Sequence, residues 1–167
     1  PFSEKDNGGD IVETSFLFQG LIAAKEYFQT VGSGEALQLV ADIDKLWEEM
    51  EWSHYVRNGK LMWHWSPDYD FQMNLPIVGW NEGMIAYVLA ASSPTFPIEK
   101  EVYTGGFQNG GSIVCGGTAY NYILPLGEMS SKGGPLFFAH YSFLGLDPRG
   151  LSDGICRDYF EQNKNHT

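Results

Sequence analysis

Three stretches of the chain carry apolar or small residues on nearly every side of a helical wheel. They cover residues 10–29, 82–92 and 136–146. A helix without a polar face must be buried on most of its surface. The sequence therefore predicts three buried helices, the second of them with Asn81 as its N-cap.

A more polar stretch follows each buried helix. Residues 34–56 place their apolar side chains in one stripe, residues 98–103 suit a short polar helix, and residues 151–167 begin another one-sided helix. A single apolar stripe predicts a surface helix with one buried face. The alternation occurs three times, so it predicts an all-α fold in which an inner layer of helices is wrapped by an outer layer.

The long segments between these helices break the helical pattern. Pro67 and Pro76 exclude a helix in residues 61–82, which should form two short extended pieces around a turn. In residues 107–126, the segments 112–116 and 119–126 predict a β-hairpin in a glycine-rich loop. Because such segments precede the inner helices, the first turns of those helices, with Asp10, Glu13 and Glu82, should meet at one end of the layer.

The extended segment 61–82 mixes aromatic side chains with amides and carboxylates. Each indole N–H, amide or carboxylate needs a partner if it is buried, so a plain core gains nothing from this mixture. A sugar site does use it, because aromatic faces stack on pyranose rings while polar groups bind the hydroxyls. The alternative is an aromatic hairpin that only closes one end of the fold.

Composition removes several other functions. The formal net charge of −11, without a basic cluster, argues against nucleic acid as a partner. No apolar run is long enough to span a bilayer, and no signal peptide is visible. We expect Cys115 and Cys156 to be free thiols, although one bridge between them stays open. The chain starts at Pro1, which suggests a fragment of a longer protein.

Acids beside tryptophans at helix starts are what glycoside hydrolysis requires. Glu82 follows Trp80 and Asn81, and desolvation there should raise its pKa enough to keep it protonated. The helix dipole opposes this by about 0.3–1 kcal/mol. The alternatives are structural: Glu82 complements the dipole, and Asp10 with Glu13 forms a capping box.

The sequence gives little support for a metal site, a catalytic nucleophile or a nucleotide-binding loop. His64 and His140 are isolated from further ligands, so we predict no metal and no cofactor, and expect both to bind sugar or to pack. Ser66, Ser142 and Cys115 lack the pattern of a nucleophile elbow. The glycine pairs match neither a phosphate loop nor a dinucleotide fingerprint.

Three strings carry a family resemblance: DIVETSFLFQGLIAA, WHWSPDYDFQMNLPIVGWNEGMIAYVLAASSPTFPI and GGPLFFAHYSFLGLDPRG. With them the chain resembles the bacterial glycoamylase-like family, which includes endo-acting β-1,2-glucanases. The resemblance implies an (α/α)6 toroid and hydrolysis with inversion in a cleft at one end. Residues 1–167 would then be a single domain, about three of the six helical hairpins of a longer catalytic domain, and we expect the fragment alone to be inactive.

The resemblance also assigns residues. Glu82 corresponds to the general acid, and Asp10 and Glu13 to acids of the cleft; the base is Asp10, Glu13 or a residue outside this chain. Gly83 stands where a bulkier residue is expected. Together with the aromatic segment, the predicted substrate-binding residues are Asp6, Trp63, His64, Trp65, Tyr69, Gln72, Asn74, Trp80, Asn81, His140 and Tyr141.

The resemblance implies a periplasmic or extracellular protein, monomeric at full length, with a glucan as substrate. Three other functions stay open. One is a non-catalytic carbohydrate-binding member of the same fold, and another is a glucoamylase acting on α-glucan. The third, a polysaccharide lyase, is disfavoured because few arginines are present to neutralise an acidic sugar.

Overall fold

The computed structural model describes residues 5–127, 133–164 and 166, apart from the side chains of residues 115 and 116. The fold is helix-rich with short strands. The α-helices are α1 (Ile11–Val31), α2 (Gly34–Glu49), α3 (Met84–Ser92), α4 (Lys100–Gly105) and α5 (Tyr159–Asn163). The strands are β1 (Gly9–Asp10), β2 (Val56–Arg57), β3 (Lys60–Leu61), β4 (His64–Trp65), β5 (Val114–Ala119) and β6 (Tyr122–Leu126). Within these described residues, four 3₁₀ helices span Trp52–Tyr55, Asn109–Gly111, Leu136–Ala139 and Tyr141–Leu144.

Helices α1 and α2 form a tight helical hairpin. Gly32 ends α1 with φ of 67°, a left-handed conformation that glycine adopts without strain. Ser33 then caps α2 by accepting a hydrogen bond from the N–H of Ala36. Between the helices, Lys25 and Asp44 form an ion pair of 2.5 Å. The predicted pairing of a first helix with a one-sided second helix is confirmed.

The burial predicted for α1 is wrong in this chain. Its buried residues are Ile11, Val12, Ser15 and Phe18, all in its first half. Helix α1 contacts α2, α3 and the 3₁₀ helix at Tyr141–Leu144. Leu17 is 60% exposed and Tyr27 65% exposed. Neighbouring elements therefore cover only one side of a helix that is apolar almost all round.

Helix α3 is buried as predicted, with Met84, Ile85, Ala86, Tyr87, Leu89 and Ala90 inside the core. It begins two residues later than expected, and its N-cap is Gly83 instead of Asn81. The amide of Asn81 still accepts a hydrogen bond from the N–H of Gly83, at 2.8 Å. Asn81 thus holds the turn that leads into the helix from one residue further out.

The predicted helix at residues 136–146 is wrong. The segment forms two 3₁₀ helices separated at His140, where φ is −122° and ψ is −43°. Leu136 is 56% exposed and Leu144 79% exposed, so the apolar sequence is not buried all round. Ser142 within this segment binds the start of α3, and that tertiary contact replaces a continuous helix.

The predicted helix at residues 151–167 is also wrong for most of its length, because among residues 151–164 and 166 only α5 is helical. Asp153 accepts hydrogen bonds from the N–H groups of Ile155 and Cys156. Its other carboxylate oxygen accepts from the hydroxyls of Tyr103 and Tyr159. Local bonds between a side chain and the backbone compete with helix formation, and here they hold a loop.

The remaining elements follow the sequence more closely. Helix α2 ends at Glu49, and a 3₁₀ turn with the fully buried Trp52 completes the predicted segment 34–56. Asn58 and Gly59, with φ of 52° and 71°, connect β2 to β3. The predicted hairpin is confirmed as the antiparallel pair β5 and β6. Helix α4 begins two residues later than predicted.

The core lies where α1, α3 and the aromatic segment meet. Its fully buried members include Ile11, Val12, Trp52, Leu61, Ile77, Tyr87, Phe107 and Tyr159.

Cys156 is a buried free thiol, and burial raises its pKa to about 12. The side chain of Cys115 lies outside the described residues. Within the described residues, no helix combines the length and hydrophobicity needed to cross a bilayer.

Candidate active site

The aromatic segment is joined to the start of α1 by a short antiparallel pairing. Strand β1 pairs with β4, so that Asp10 lies opposite His64 and Gly9 opposite Trp65. The N–H of Ile11 continues this pairing with a hydrogen bond of 3.0 Å to the carbonyl of Trp63. Two residues of the predicted site, separated by more than fifty positions in sequence, are thereby held side by side.

Asp10 performs two tasks with its two carboxylate oxygens. Oδ1 caps α1 by accepting hydrogen bonds from the N–H groups of Val12 at 2.9 Å and Glu13 at 3.0 Å. Oδ2 accepts from the indole Nε1–H of Trp63 at 3.2 Å and lies 3.6 Å from Nδ1 of His64. The cap predicted for Asp10 is therefore present, and it leaves the other oxygen for the site.

His64 connects Asp10 to a second acid. Its Nδ1 lies 3.0 Å from Oδ1 of Asp6, and its ring stacks on Trp63 with centroids 6.4 Å apart and an interplanar angle of 25°. His64 and Asp6 are both partly buried. The structure thus brings four predicted site residues into one cluster at the start of α1.

Glu82 lies at the entrance to α3, on the wall of a cavity of about 490 Å³. The cavity is lined by Trp63, Val78, Trp80, Asn81, Glu82, Phe137 and Phe138. Among the described residues, no group makes a hydrogen bond to the buried Oε2 of Glu82. An unpaired carboxyl oxygen between aromatic side chains is costly in the charged form, and the neutral acid is favoured.

The pKa of Glu82 is raised, first of all by desolvation. A hydrogen bond from its own backbone N–H lowers the pKa, and the negative charges of Glu13 and Asp10 raise it again. Trp63 connects the starts of α1 and α3, because its indole donates to Asp10 and also lines the cavity of Glu82. The three acids named by the sequence therefore share one end of the helical layer.

Trp80 belongs mainly to the core. It is 7% exposed, and its Nε1–H donates to the carbonyl of Gly133 at 3.1 Å. Its ring stacks on Tyr159 with centroids 6.2 Å apart at 15°. Trp80 and Trp63 both line the cavity beside Glu82, and Trp63 is the less buried of the two.

The amide of Asn81 is committed to the backbone. Its Oδ1 accepts from the N–H of Gly83, and its Nδ2 donates to the carbonyl of Val78 at 3.2 Å. The predicted contact of this amide with sugar would have to compete with both bonds. Asn81 lines the cavity, but the structure assigns its polar atoms to shaping the turn before Glu82.

Three predicted substrate-binding residues lie in a different pocket. Tyr69, Gln72 and Asn74 line a space of about 400 Å³ together with Arg57 and Phe71. The guanidinium of Arg57 lies 4.0 Å from the centroid of the Phe71 ring, which is a cation–π contact. Met62 lines this pocket while the next residue, Trp63, lines the Glu82 cavity, since neighbouring side chains in an extended segment point to opposite faces.

The remaining predicted residues do not line the Glu82 cavity. Trp65 packs its edge against His54, with centroids 5.6 Å apart. His140 is exposed and lines a pocket with Phe143 and Pro148 among others. Tyr141 contacts Phe16 edge-on at 5.3 Å. The structure therefore does not gather these three side chains around the acid.

Two residues important for this geometry escaped the sequence argument. Ser142 was considered only as a nucleophile, yet it binds the backbone at Glu82. Gly83 looked like a departure, but a Cβ there would lie 2.7 Å from Cγ2 of Ile77 and 2.9 Å from Oδ1 of Asn81. In this chain a larger residue at that position would therefore require Ile77 or Asn81 to shift. No periodicity in the sequence signals either contact.

A metal site is not formed by the side chains seen in residues 5–127, 133–164 and 166. No group of three histidine, cysteine, aspartate or glutamate residues there is arranged to hold an ion. The chemistry that these residues offer is that of carboxylic acids beside aromatic rings.

Part of the chain matches the model of a known protein family. The family described as "Putative glucoamylase", named Glycoamylase, matches residues 74–167. The chain belongs to this family. The predicted resemblance to the glycoamylase-like proteins is thereby confirmed.

Individual relatives extend the likeness over the whole chain. The exo β-1,2-glucooligosaccharide sophorohydrolase of Parabacteroides distasonis is 43% identical, over 98% of this chain and 25% of its own length. The structure of the endo-β-1,2-glucanase from Chitinophaga pinensis, with sophorotriose and glucose, is 49% identical with a TM-score of 0.92. A crystal structure named as a "putative glucoamylase" from Bacteroides caccae is 46% identical, also with a TM-score of 0.92.

The chain is much shorter than these relatives. Each structural match covers 99% of this chain but only 40% of the relative's chain. The chain therefore spans less than half the length of either solved relative.

Proposed function

We propose that the protein is a glycoside hydrolase that cleaves a glucan, with β-1,2-linked glucan as substrate, and that Glu82 is its general acid. The observation that carries the proposal is the carboxyl of Glu82 in an aromatic cavity, its pKa raised by burial and by the charges of Glu13 and Asp10. The named activities of two relatives, a sophorohydrolase and an endo-β-1,2-glucanase, support the choice of linkage.

In the proposed reaction, protonated Glu82 gives its proton to the glycosidic oxygen as the bond from that oxygen to the anomeric carbon breaks. A water molecule attacks the anomeric carbon from the opposite face and loses a proton to a carboxylate base. One water is consumed, and the products are a new reducing end and a new non-reducing end. The anomeric configuration is inverted in this single displacement.

Asp10 and Glu13 are the candidates for the base within this chain. Asp10 is held by the cap bonds and by Trp63, so its position is well defined. Glu13 lies in the first turn of α1 with an exposed side chain that can reach water. Inverting enzymes keep their two carboxyl groups about 6.5–9.5 Å apart to make room for the water, and the base can equally be supplied by the longer protein.

The helical hairpins belong, in this proposal, to an (α/α)6 toroid, of which residues 1–167 form part of a single catalytic domain. The share of the solved relatives' length that the chain covers, 40%, supports this. We further propose a monomer that acts in the periplasm or outside the cell, where polysaccharides are encountered. The fragment alone would lack one side of the cleft and be inactive.

The test is release of reducing sugar from linear β-1,2-glucan by the full-length protein and by Glu82→Gln. The variant should lose about 10²- to 10⁴-fold in rate, the usual contribution of a general acid. Equal rates would reject Glu82 as the acid. Binding of glucan without any release by wild type would favour a carbohydrate-binding protein instead.

Product analysis then decides the finer points. A ladder of oligosaccharides indicates endo cleavage, and a single short product indicates exo cleavage. Activity on starch in place of β-1,2-glucan would favour the glucoamylase function that the family description names. Proton NMR of the first product formed reports whether the anomer is inverted, and ultraviolet absorbance by an unsaturated product would indicate a lyase.

A further inference from the structure

We propose that Ser142 is a positioning residue for Glu82: its hydroxyl fixes the backbone at the start of α3 and so aims the acid at the glycosidic oxygen. This inference rests on the proposed function. It concerns a side chain that neither touches substrate nor takes part in proton transfer.

The geometry is that of a cap supplied from another part of the chain. The hydroxyl of Ser142 donates to the carbonyl of Glu82 at 2.7 Å and accepts from the N–H of Ile85 at 3.1 Å. It thus joins the two sides of the turn in which α3 begins. Helix N-termini leave N–H groups without partners inside the helix, and a side-chain oxygen normally satisfies one of them.

The start of α3 depends on the hydrogen bonds of Ser142 because its own N-cap residue makes no side-chain hydrogen bond. Its N-cap residue is Gly83, which has no side chain to accept a hydrogen bond. Asn81 binds the N–H of Gly83 from the preceding side. Glu82 therefore lies between two anchors, one local and one 60 residues away in sequence.

Burial makes the contact rigid. Ser142 is 1% exposed, and Ile85 is 3% exposed, so water has little access to replace the bond. Loss of the hydroxyl would leave the N–H of Ile85 buried without its partner, and the turn would relax to find another. The same segment contributes Phe137 and Phe138 to the cavity wall, so it fixes both the acid and its surroundings.

Displacement of the Glu82 carboxyl should lower kcat more for a substrate whose leaving group needs a proton than for one whose leaving group does not. A sugar leaving group needs protonation, whereas a dinitrophenolate leaves without it. In the full-length protein, Ser142→Ala should lower kcat on β-1,2-glucan about 10- to 100-fold, the range expected for a small misplacement of a catalytic group, with KM little changed. On the dinitrophenyl glycoside of the same β-1,2-linked unit, kcat should remain within about twofold of wild type.

Ser93→Ala is the matched control. Ser93 is also a buried serine, the C-cap residue at the other end of α3, where its hydroxyl accepts from the N–H of Phe96. It should lose stability of similar size without any dependence on the leaving group. If Ser142→Ala yields too little folded protein, Ser142→Cys, with similar volume and a weaker hydrogen bond, serves for the same two-substrate comparison.

The outcomes separate this inference from the proposed function. Equal losses on both substrates, or no loss on glucan, would overturn the positioning role. If Glu82→Gln is inactive on glucan while Ser142→Ala equals wild type, only the inference fails. If Glu82→Gln itself keeps full activity, the proposed function fails first and the role of Ser142 with it.

Discussion

The indole of Trp63 donates its Nε1–H to Oδ2 of Asp10 across 53 positions of sequence, at 3.2 Å. The other oxygen of the same carboxylate caps α1. A residue that looks like either a cap or a member of the site is therefore both. The bond to Trp63 is what ties the helix start to the aromatic segment at the level of side chains.

Trp63→Phe should test this tie. The variant keeps an aromatic wall but removes the donor, so we expect the free energy of unfolding to fall by about 0.5–1.5 kcal/mol. Since Asp10 is a candidate base, kcat on β-1,2-glucan should fall as well. Urea denaturation and steady-state kinetics measure the two effects. Trp65→Phe is the control, because the contact of Trp65 with His54 is one of ring packing; an equal loss of kcat in both variants would contradict the prediction.

The pH dependence of stability should reveal the raised pKa of Glu82. Its ordinary value is 4.5, and in the folded protein it is higher, mainly because of desolvation. Below pH 4.5 the group is protonated in both states and costs nothing. As the pH rises from 4.5 through the folded pKa, the unfolded state releases its proton more readily, so the folded state loses relative stability.

Glu82→Gln lacks this titration. Its free energy of unfolding should exceed that of wild type at high pH, and the difference should shrink as the pH falls toward 4.5. Thermal or urea denaturation at a series of pH values measures it. A difference that grows on acidification would mean that the pKa of Glu82 is lowered by folding.

Gly83→Ala should destabilise the protein and disturb the acid next to it. The new Cβ would lie 2.7 Å from Ile77 and 2.9 Å from the amide of Asn81, so one of them must move. Overpacking of this kind costs about 1–3 kcal/mol. Gly20→Ala is the matched control, since a Cβ at Gly20 in α1 meets nothing within 4 Å; it should stabilise by about 0.5–1 kcal/mol. Denaturation curves that rank the two variants the other way would refute the steric argument.

Asp153→Asn should loosen the attachment of the loop before α5 to α4. Burial raises the pKa of Asp153, but hydrogen bonds from Tyr103, Tyr159 and Gln108 outweigh it, so the net shift is downward. The stability that these bonds contribute is present above the unfolded pKa, near 3.8, and is lost as the pH falls through the lower folded value.

At neutral pH the variant replaces one of the two accepting oxygens with an NH2 donor, which must face either the two tyrosine hydroxyls or the backbone N–H groups of Ile155 and Cys156. We expect a loss of about 1.5–3 kcal/mol, typical of hydrogen bonds to a charged group, and a flatter acid limb in urea denaturation. Asp147→Asn, at the exposed ion pair with Arg149, should change stability far less. Equal effects at the two aspartates would show that the buried network adds nothing.

The sequence by itself determined the elements whose signals are local. The two-residue break at Gly32 and Ser33 separates α1 from α2, and the apolar run after Gly83 is buried as α3. The carboxylate next to the first turn of α1 becomes its cap, as its spacing predicted. These features depend on neighbours within four residues, and a linear pattern contains them.

Only the tertiary structure decided the path of the chain after residue 135. The apolar segment there suits a helix by composition, but Ser142 bonds to the start of α3 and the segment bends into two 3₁₀ helices. The polar segment after residue 150 likewise becomes a loop around Asp153. In both places a hydrogen bond to a distant partner outweighs a weak local preference, and such partners do not appear in any local pattern.

The candidate site was also determined partly by the sequence and partly by the tertiary structure. Residue types and spacing singled out Asp10, Glu13 and Glu82, because an acid beside an indole is informative wherever it lies. Which aromatic and amide side chains share their cavity was decided by the extended segment, where Met62 and Trp63 face opposite pockets. The physical reason is that side-chain direction in an irregular segment is set by pairing with other strands, so it is fixed only when the chain has folded.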